Sequence, residues 1–345
     1  MTTKPIVMIL GGSGFIGRHI AADFLERGWR VLIITRDPDA ARTVLGTACE
    51  YAVSPRVVDP SMSPRIIINL AGASVGEGRW TAKRKQTLID SRLAPTSELT
   101  GWIANLPWKP WLVIQASAVG YYGNGSAQGW PECDEQSPPQ DIFVSQLCQQ
   151  WEALGRQMQQ DTGVPVAILR LGVVLGRNGG ILPQLLRPVS MGVGKIGSGA
   201  QPLTWVHMDD VLGVVQHLAG KATAPGAKAG EHGNASSGTD TGAGQETPAA
   251  DAGKASPAAG ADPAIYNLTA PESTTQLQFA QTAARLMKRP LLLGMPAGVM
   301  RMMMGEQADL VLDGQFVKPA RLLADGYAFR FPTLQSALED LIPRR

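Results

Sequence analysis

The stretch Ile6 to Arg36, IVMILGGSGFIGRHIAADFLERGWRVLIITR, decides the fold. Its opening apolar run, Ile6–Leu10, predicts a buried strand. Gly11-Gly12-Ser13-Gly14-Phe15-Ile16-Gly17 follows, then a helix-like segment, then a second apolar run, Val31–Ile34, after Gly28. Strand, glycine turn, helix, strand is half of a dinucleotide-binding unit. Each glycine has a physical task. Gly11 lets the chain leave the strand in a tight turn. Gly14, lacking a Cβ, lets the backbone approach a pyrophosphate. Gly17 lets the helix pack close to the sheet. The helix start then offers free N–H groups and the positive end of its dipole to phosphate oxygens. A glycine-rich turn without a ligand is the competing reading, and the strand–turn–helix context argues against it.

The end of the second strand bears on the cofactor. A fold of this kind that takes NAD usually places an acid there, to hold the ribose 2′-hydroxyl. This chain has Thr35-Arg36. A guanidinium cannot accept a hydrogen bond from a hydroxyl, but it suits a 2′-phosphate. The expectation is therefore NADP(H) rather than NAD(H). Asp37, one residue later, is the competitor, and a merely solvated Arg36 is the alternative.

The bulk composition is that of an ordinary globular protein. With 345 residues, 44% of them hydrophobic, the chain can bury a core in one or two domains. A net charge of +2, with no basic run interleaved with aromatics, predicts no nucleic-acid partner. No apolar run approaches the roughly 20 residues of a membrane helix, so no membrane partner is expected either. Cys49, Cys133 and Cys148 show neither metal nor redox spacing. With no secretory signal before the first strand, they predict a reducing cytoplasm. The four histidines show no metal spacing, and no metal is expected.

Further along, Arg65–Leu70, Trp111–Ala116 and Val164–Leu169 read as buried strands, while Ala82–Ile103 and Phe143–Thr162 read as helices. The alternation predicts an α/β fold with a doubly wound parallel sheet. From Gly220 to Ala264 the composition collapses to small and polar residues. Such a segment cannot bury enough surface to offset its ordering entropy, so 220–264 is read as a flexible insertion. Helices are expected again at Gln276–Met287 and Thr333–Leu341.

The glycine motif, the strand end Asn69-Leu70-Ala71-Gly72 and Ser117 in SAVGYYG together resemble the extended short-chain dehydrogenase/reductase superfamily. The resemblance is closer to one branch, the NADP(H)-binding, YfcH-like "epimerase family protein" group. It is carried by Arg79-Trp80-Thr81 with Ser91-Arg92, GYYG at 120–123, Trp151-Glu152, RLGVVLG at 170–176, GSGAQPLTWVHMDDV at 197–211, YNLTAP at 266–271 and the tail at 313–332. The resemblance implies a mainly Rossmann-type NADP(H) domain over 1–175. It also implies a smaller, mainly α/β substrate domain over 176–345, with some strand exchange between the two and the substrate bound between them. By carry-over, the glycine loop (Gly11, Gly12, Ser13, Gly14, Phe15, Ile16, Gly17), Thr35 and Arg36, Asn69 to Gly72 and the backbone at Val173 would lie along the cofactor. Arg92 reads equally as a cofactor contact and as a helix-surface arginine.

The superfamily's usual chemistry uses a serine with a tyrosine and a lysine spaced YxxxK on one helix face. Here Phe143 and Leu147 hold those two places. Neither can move or tune a proton. Ser117, Tyr121 and Tyr122 remain as candidate catalytic groups, each with a structural alternative: a serine satisfied by backbone, or a tyrosine walling a cleft. Lys83 is expected to be solvated, and so is the acidic patch Glu132, Asp134 and Glu135. His207 reads as structural, with Asp209 or Asp210 capping the helix that follows. Met300 and Met302–Met304 are expected to pack in the smaller domain or line its pocket. The expected activity is an NADP(H)-dependent oxidoreduction of a small carbonyl or hydroxyl compound. A non-catalytic NADP(H) sensor is the alternative, and nucleotide-sugar epimerisation or dehydration ranks third.

Overall fold

The computed structural model describes residues 4–125, 129–223 and 262–343. Its centre is a seven-stranded parallel sheet. The strands are β1 (Ile6–Leu10), β2 (Arg30–Ile34), β3 (Glu50–Ala52), β4 (Ile66–Asn69), β5 (Leu112–Ala118), β6 (Val166–Leu171) and β7 (Ala264–Leu268). They lie in the spatial order β7-β6-β5-β4-β1-β2-β3. β1 pairs with β2 on one side (Val7 opposite Val31) and with β4 on the other (Val7 opposite Ile66). The chain thus winds outward from β1 through β2 and β3, then crosses back to start again at β4. The sheet is the Rossmann-like arrangement expected from the alternation of strands and helices.

Strand pleating sorts the core into two layers. Val7, Ile9, Ile33 and Ile68 pack with Ile20 and Phe24 of α1 (Phe15–Glu26). The same layer holds Val211, Val214 and Leu218 of the helix Met208–Thr223. Met8, Leu10, Leu32 and Ile67 face the opposite way. They pack with Leu99, Trp102 and Ile103 of the helix Ala82–Ala104 and Met158 of the helix Phe143–Thr162. Both faces are covered, so the strands read as continuous apolar runs, as buried parallel strands do.

A third core lies beyond residue 175. Leu182, Trp205, Phe279, Ala283 and Leu338 bring together the helices Leu182–Ser190, Gln276–Met287 and Leu334–Leu341. This half of the chain also feeds the central sheet, because the helix Met208–Thr223 and β7 both return to it.

Most of the low-complexity stretch, 224–261, lies outside the described residues; its first four, Gly220–Thr223, continue a helix rather than begin a loop. Two of the four methionines depart from expectation, while Met300 and Met304 are half-buried. Met302 and Met303 are exposed, at 75% and 60%, on a helix, Ala297–Met304, with no buried residue. Asp210 is not a helix cap. Its buried carboxylate accepts from the backbone N–H groups of Arg330 at 2.7 Å and Phe331 at 3.0 Å, and so anchors the C-terminal segment. Among the described residues no helix is long and apolar enough to cross a membrane.

Candidate functional site

Because all seven strands are parallel, the loops leaving β1, β2, β4, β5 and β6 emerge along one edge of the sheet. The segments singled out in the sequence are these loops. The crevice between β1 and β4, where the winding reverses, is where open α/β sheets take their ligands.

The glycines let the loops close on one another. Gly11 has a φ of 75°, a conformation that favours glycine, and donates to the Ile34 carbonyl at 3.2 Å. A Cβ at Gly11 would stand 2.8 Å from the Leu70 carbonyl oxygen, so the loops after β1 and β4 touch because residue 11 has no side chain. A Cβ at Gly17 would stand 2.5 Å from the Gly11 carbonyl oxygen, so the first turn of α1 rests directly on the loop. Gly12 is buried against Ile33, and Gly14 forms the helix N-cap with extended backbone; no side chain caps the helix. Ser13 is half-buried. Phe15 turns its ring to the C-terminal half, where a Cβ at Gly180 would approach a ring carbon to 2.5 Å. Arg18 reinforces that contact by donating to the Asn178 carbonyl. Ile16 packs against the α1-side core.

At the end of β2, Thr35 is half-buried and Arg36 is exposed, with no hydrogen bond or ion pair among the described residues. Asp37 is already engaged. Its carboxylate accepts from Ala40 N at 2.9 Å and caps the helix Pro38–Leu45.

Asn69 is fully buried and shapes its loop from below. Its amide donates to Thr96 Oγ1 and Gln115 Oε1, both at 2.9 Å, and its carbonyl oxygen accepts from Ala71 N at 3.2 Å. Arg92 is neither a solvated helix arginine nor an open one. It donates to the carbonyls of Leu88 at 3.0 Å and Ala73 at 3.1 Å, stacks near Trp151, and packs against Gly72. Burial lowers its pKa from the usual value. It therefore holds the Leu70–Ala73 loop, whose Gly72 is exposed. Val173, after β6, is half-buried, and its N–H donates to the Thr204 carbonyl at 2.8 Å.

Beneath the loop after β5 lies a buried polar chain. Ser117, 2% exposed, donates to Glu152 Oε1 at 2.7 Å. Glu152 grips Arg170 through two contacts of 2.8 Å. Arg170 donates to the Tyr122 hydroxyl at 2.9 Å, and Tyr122 donates to Asn267 Oδ1 at 2.6 Å. Burial by itself would lower the Arg170 pKa, but the Glu152 hydrogen bonds and charge overturn it, and the guanidinium stays protonated. Burial also pushes the Tyr122 phenol well above its ordinary range. The two adjacent tyrosines are thus unequal. Tyr122 is buried and committed. Tyr121 is half-buried, lies on the Arg170 guanidinium at 3.4 Å, and its hydroxyl makes no hydrogen bond among the described residues. The acidic patch is not wholly solvated, because Glu135 accepts from the N–H groups of Asn267 at 2.9 Å and Arg321 at 3.2 Å.

Beside these loops is a small cavity of about 120 Å³ walled by Trp80, Ile142, Phe143 and Leu310 and closed by Glu306 and Asp309. Phe143 meets Trp80 edge-on at 5.4 Å, and Leu147 is buried. The C-terminal half is tied to the Val75–Lys85 segment by three contacts. Gln307 donates to the Val75 carbonyl at 2.7 Å, Arg79 donates to the Met303 carbonyl at 3.1 Å, and Lys85 pairs with Glu306 at 2.7 Å. Lys83 is exposed, as expected; Lys85, two residues on, is the lysine that reaches Phe143, with its ammonium 4.9 Å from the ring centre. Sequence patterns gave no sign of this, since both lysines sit in one basic run. Glu152 and Arg170 stood inside quoted motifs, but nothing local announced that they would meet.

The sequence profile of the NAD dependent epimerase/dehydratase family matches residues 7–229, and that of a domain of unknown function, DUF1731, matches 295–341. An epimerase family protein of Staphylococcus saprophyticus is 30% identical over 336 residues, 97% of this chain and 98% of that protein. The epimerase family protein SDR39U1 of Mus musculus is 30% identical over 341 residues, covering 97% and 99%. The crystal structure of human epimerase family protein SDR39U1 with NADPH is similar at a TM-score of 0.74 and 28% identity, over 97% of this chain and 98% of that one. UDP-glucuronic acid 4-epimerase from Bacillus cereus in complex with NAD shares the fold, at a TM-score of 0.66 and 15% identity over 97% of each chain.

Proposed function

The chain belongs to the NAD dependent epimerase/dehydratase family, and from that premise we propose that it is an NADP(H)-binding oxidoreductase of atypical short-chain type acting on a small carbonyl or hydroxyl compound. The observation that carries the cofactor reading is the pairing of an unengaged Arg36 with an Asp37 already used as a helix cap. A ribose hydroxyl would have to share Asp37 with the helix start that it caps, while a 2′-phosphate would find an unengaged guanidinium. The NADPH of the human relative's crystal structure points the same way. When bound, the nicotinamide would supply or accept hydride.

This chain's residues would do the rest. The Gly11–Gly17 loop and the start of α1 would take the pyrophosphate. Asn69 and Arg92 would act indirectly, by holding the Leu70–Ala73 loop against the cofactor. Tyr121 is favoured over Tyr122 and Ser117 as proton donor, because the other two hydroxyls are buried and already donate to Asn267 and Glu152. The cavity supports a small substrate. At about 120 Å³ it is smaller than the roughly 300–1,000 Å³ of sites that enclose larger ligands.

The test is an equilibrium titration with NADPH, NADP+ and NADH, followed by a screen of small carbonyl compounds for NADPH oxidation. Tight binding of both NADP forms with weak NADH binding supports the assignment, and no binding of any form sinks it. A second reading, a non-catalytic NADP(H) sensor, is favoured by Phe143 and Leu147 standing where the proton-moving pair would be. A sensor requires different affinities for NADPH and NADP+, because a ligand shifts an equilibrium only by its differential affinity.

A further inference from the structure

The walls of the Trp80–Phe143 cavity are largely apolar, yet two of its lining residues, Phe143 and Glu306, hold an ammonium. Lys85 Nζ lies 4.9 Å from the Phe143 ring centre and 2.7 Å from Glu306 Oε1. The ring face attracts the cation and keeps it beside the cavity whether or not Glu306 is present. Glu306 itself is lightly held. Its side chain is 49% exposed, although buried Gln307 and Ala308 anchor the short turn Gly305–Ala308 that carries it. A half-exposed ion pair contributes little to stability, so another carboxylate can replace Glu306 at little loss. The other acid at the rim, Asp309, has Arg301 at 3.7 Å to balance it. An uncharged ligand would gain only an ion–dipole contact in place of the Glu306 ion pair. A ligand carrying a carboxylate gains a charge-assisted hydrogen bond beside apolar walls.

We infer that the Lys85 ammonium is the carboxylate-binding group of this cavity, that Glu306 occupies it when the cavity is empty, and that the substrate is a small carbonyl compound bearing a carboxylate. The inference rests on reading this cavity as the substrate site.

The experiment is a calorimetric titration of the full chain, with and without saturating NADP+, using pyruvate and its uncharged amide, pyruvamide, as probes. Pyruvate should bind and pyruvamide should bind at least about tenfold more weakly, the scale of one good charged contact. Glu306→Gln, which removes the competing charge, should tighten pyruvate about tenfold. Lys85→Met should abolish binding, and Lys85→Arg should largely keep it. NADP+ affinity should be the same in all variants. Equal binding of the two probes, no pyruvate binding to wild type or to the Glu306 variant, or a Glu306 variant no tighter than wild type would each overturn the inference. Failure of NADP+ to bind wild type would instead remove the cofactor reading, and the probes would still report on Lys85 in the protein without cofactor.

Discussion

Glu152 and Arg170 meet as a two-pronged ion pair, 2.8 Å in each contact, with side chains no more than 1% exposed. The pair joins the helix Phe143–Thr162 to β6 and passes its hydrogen bonds on to Ser117 and Tyr122. Removing one partner leaves the other charged and buried. Glu152→Ala should therefore cost about 3–5 kcal/mol of folding stability. Urea unfolding measures it, and a midpoint equal to wild type would show that the pair carries no folding weight.

On the proposed reading, Arg36 sets cofactor choice. Arg36→Ala should weaken NADPH binding by about 10–100-fold, the loss of a charged phosphate contact, and leave NADH binding nearly unchanged. Titration of both nucleotides decides it. An equal loss for both would place Arg36 away from the 2′-phosphate.

The two tyrosines should separate cleanly. Tyr122→Phe breaks the hydrogen bonds to Arg170 and Asn267, so it should lower stability by about 1–3 kcal/mol. Tyr121→Phe removes a hydroxyl that makes no hydrogen bond among the described residues, so it should leave stability within about 0.5 kcal/mol. If Tyr121 donates the proton, it should also slow turnover of a carbonyl substrate about 100-fold or more. Ser117→Ala should behave like Tyr122→Phe, with its effect on stability larger than on kcat. A Tyr121→Phe enzyme with full turnover would rule out its role.

His207 should make stability depend on pH. Its ring is buried against Phe331 at 3.8 Å and accepts from Asp209 N at 3.0 Å. Burial lowers its pKa below the ordinary 6.5, and the neighbouring Asp209, Asp340 and Asp210 offset this in part. The unfolded chain therefore takes up the proton first as pH falls. The contribution of His207 is fully present above about 6.5 and is lost as pH drops through the folded pKa. Unfolding of wild type and His207→Gln at pH 8 and pH 5 should show a steeper loss in wild type. Equal slopes would mean that the ring titrates alike in both states.

Much of this architecture was legible in local sequence because it depends on local physics. Apolar runs of five or six residues and glycines in a strand–helix turn predicted β1, β2 and α1, and helical periodicity placed Phe143–Thr162 and Gln276–Met287 with the boundaries observed. That Phe143 and Leu147 can move no proton was equally plain, since neither carries a titratable group whatever surrounds it. What local sequence left open was which polar side chains are free. Ser117 and Tyr122 looked like candidates until the fold buried them against Glu152, Arg170 and Asn267, residues 35, 48 and 145 positions away along the chain. Lys85 and Lys83 were indistinguishable until the C-terminal segment brought Glu306 across 221 residues to one of them. The sequence by itself determined the sheet, the glycine turn between β1 and α1 and the lack of a titratable group at Phe143 and Leu147, because period and residue type act over a few positions. Tertiary structure alone decided which hydroxyls and charges remain available at the site, because burial and partner choice depend on contacts between segments that no local pattern encodes.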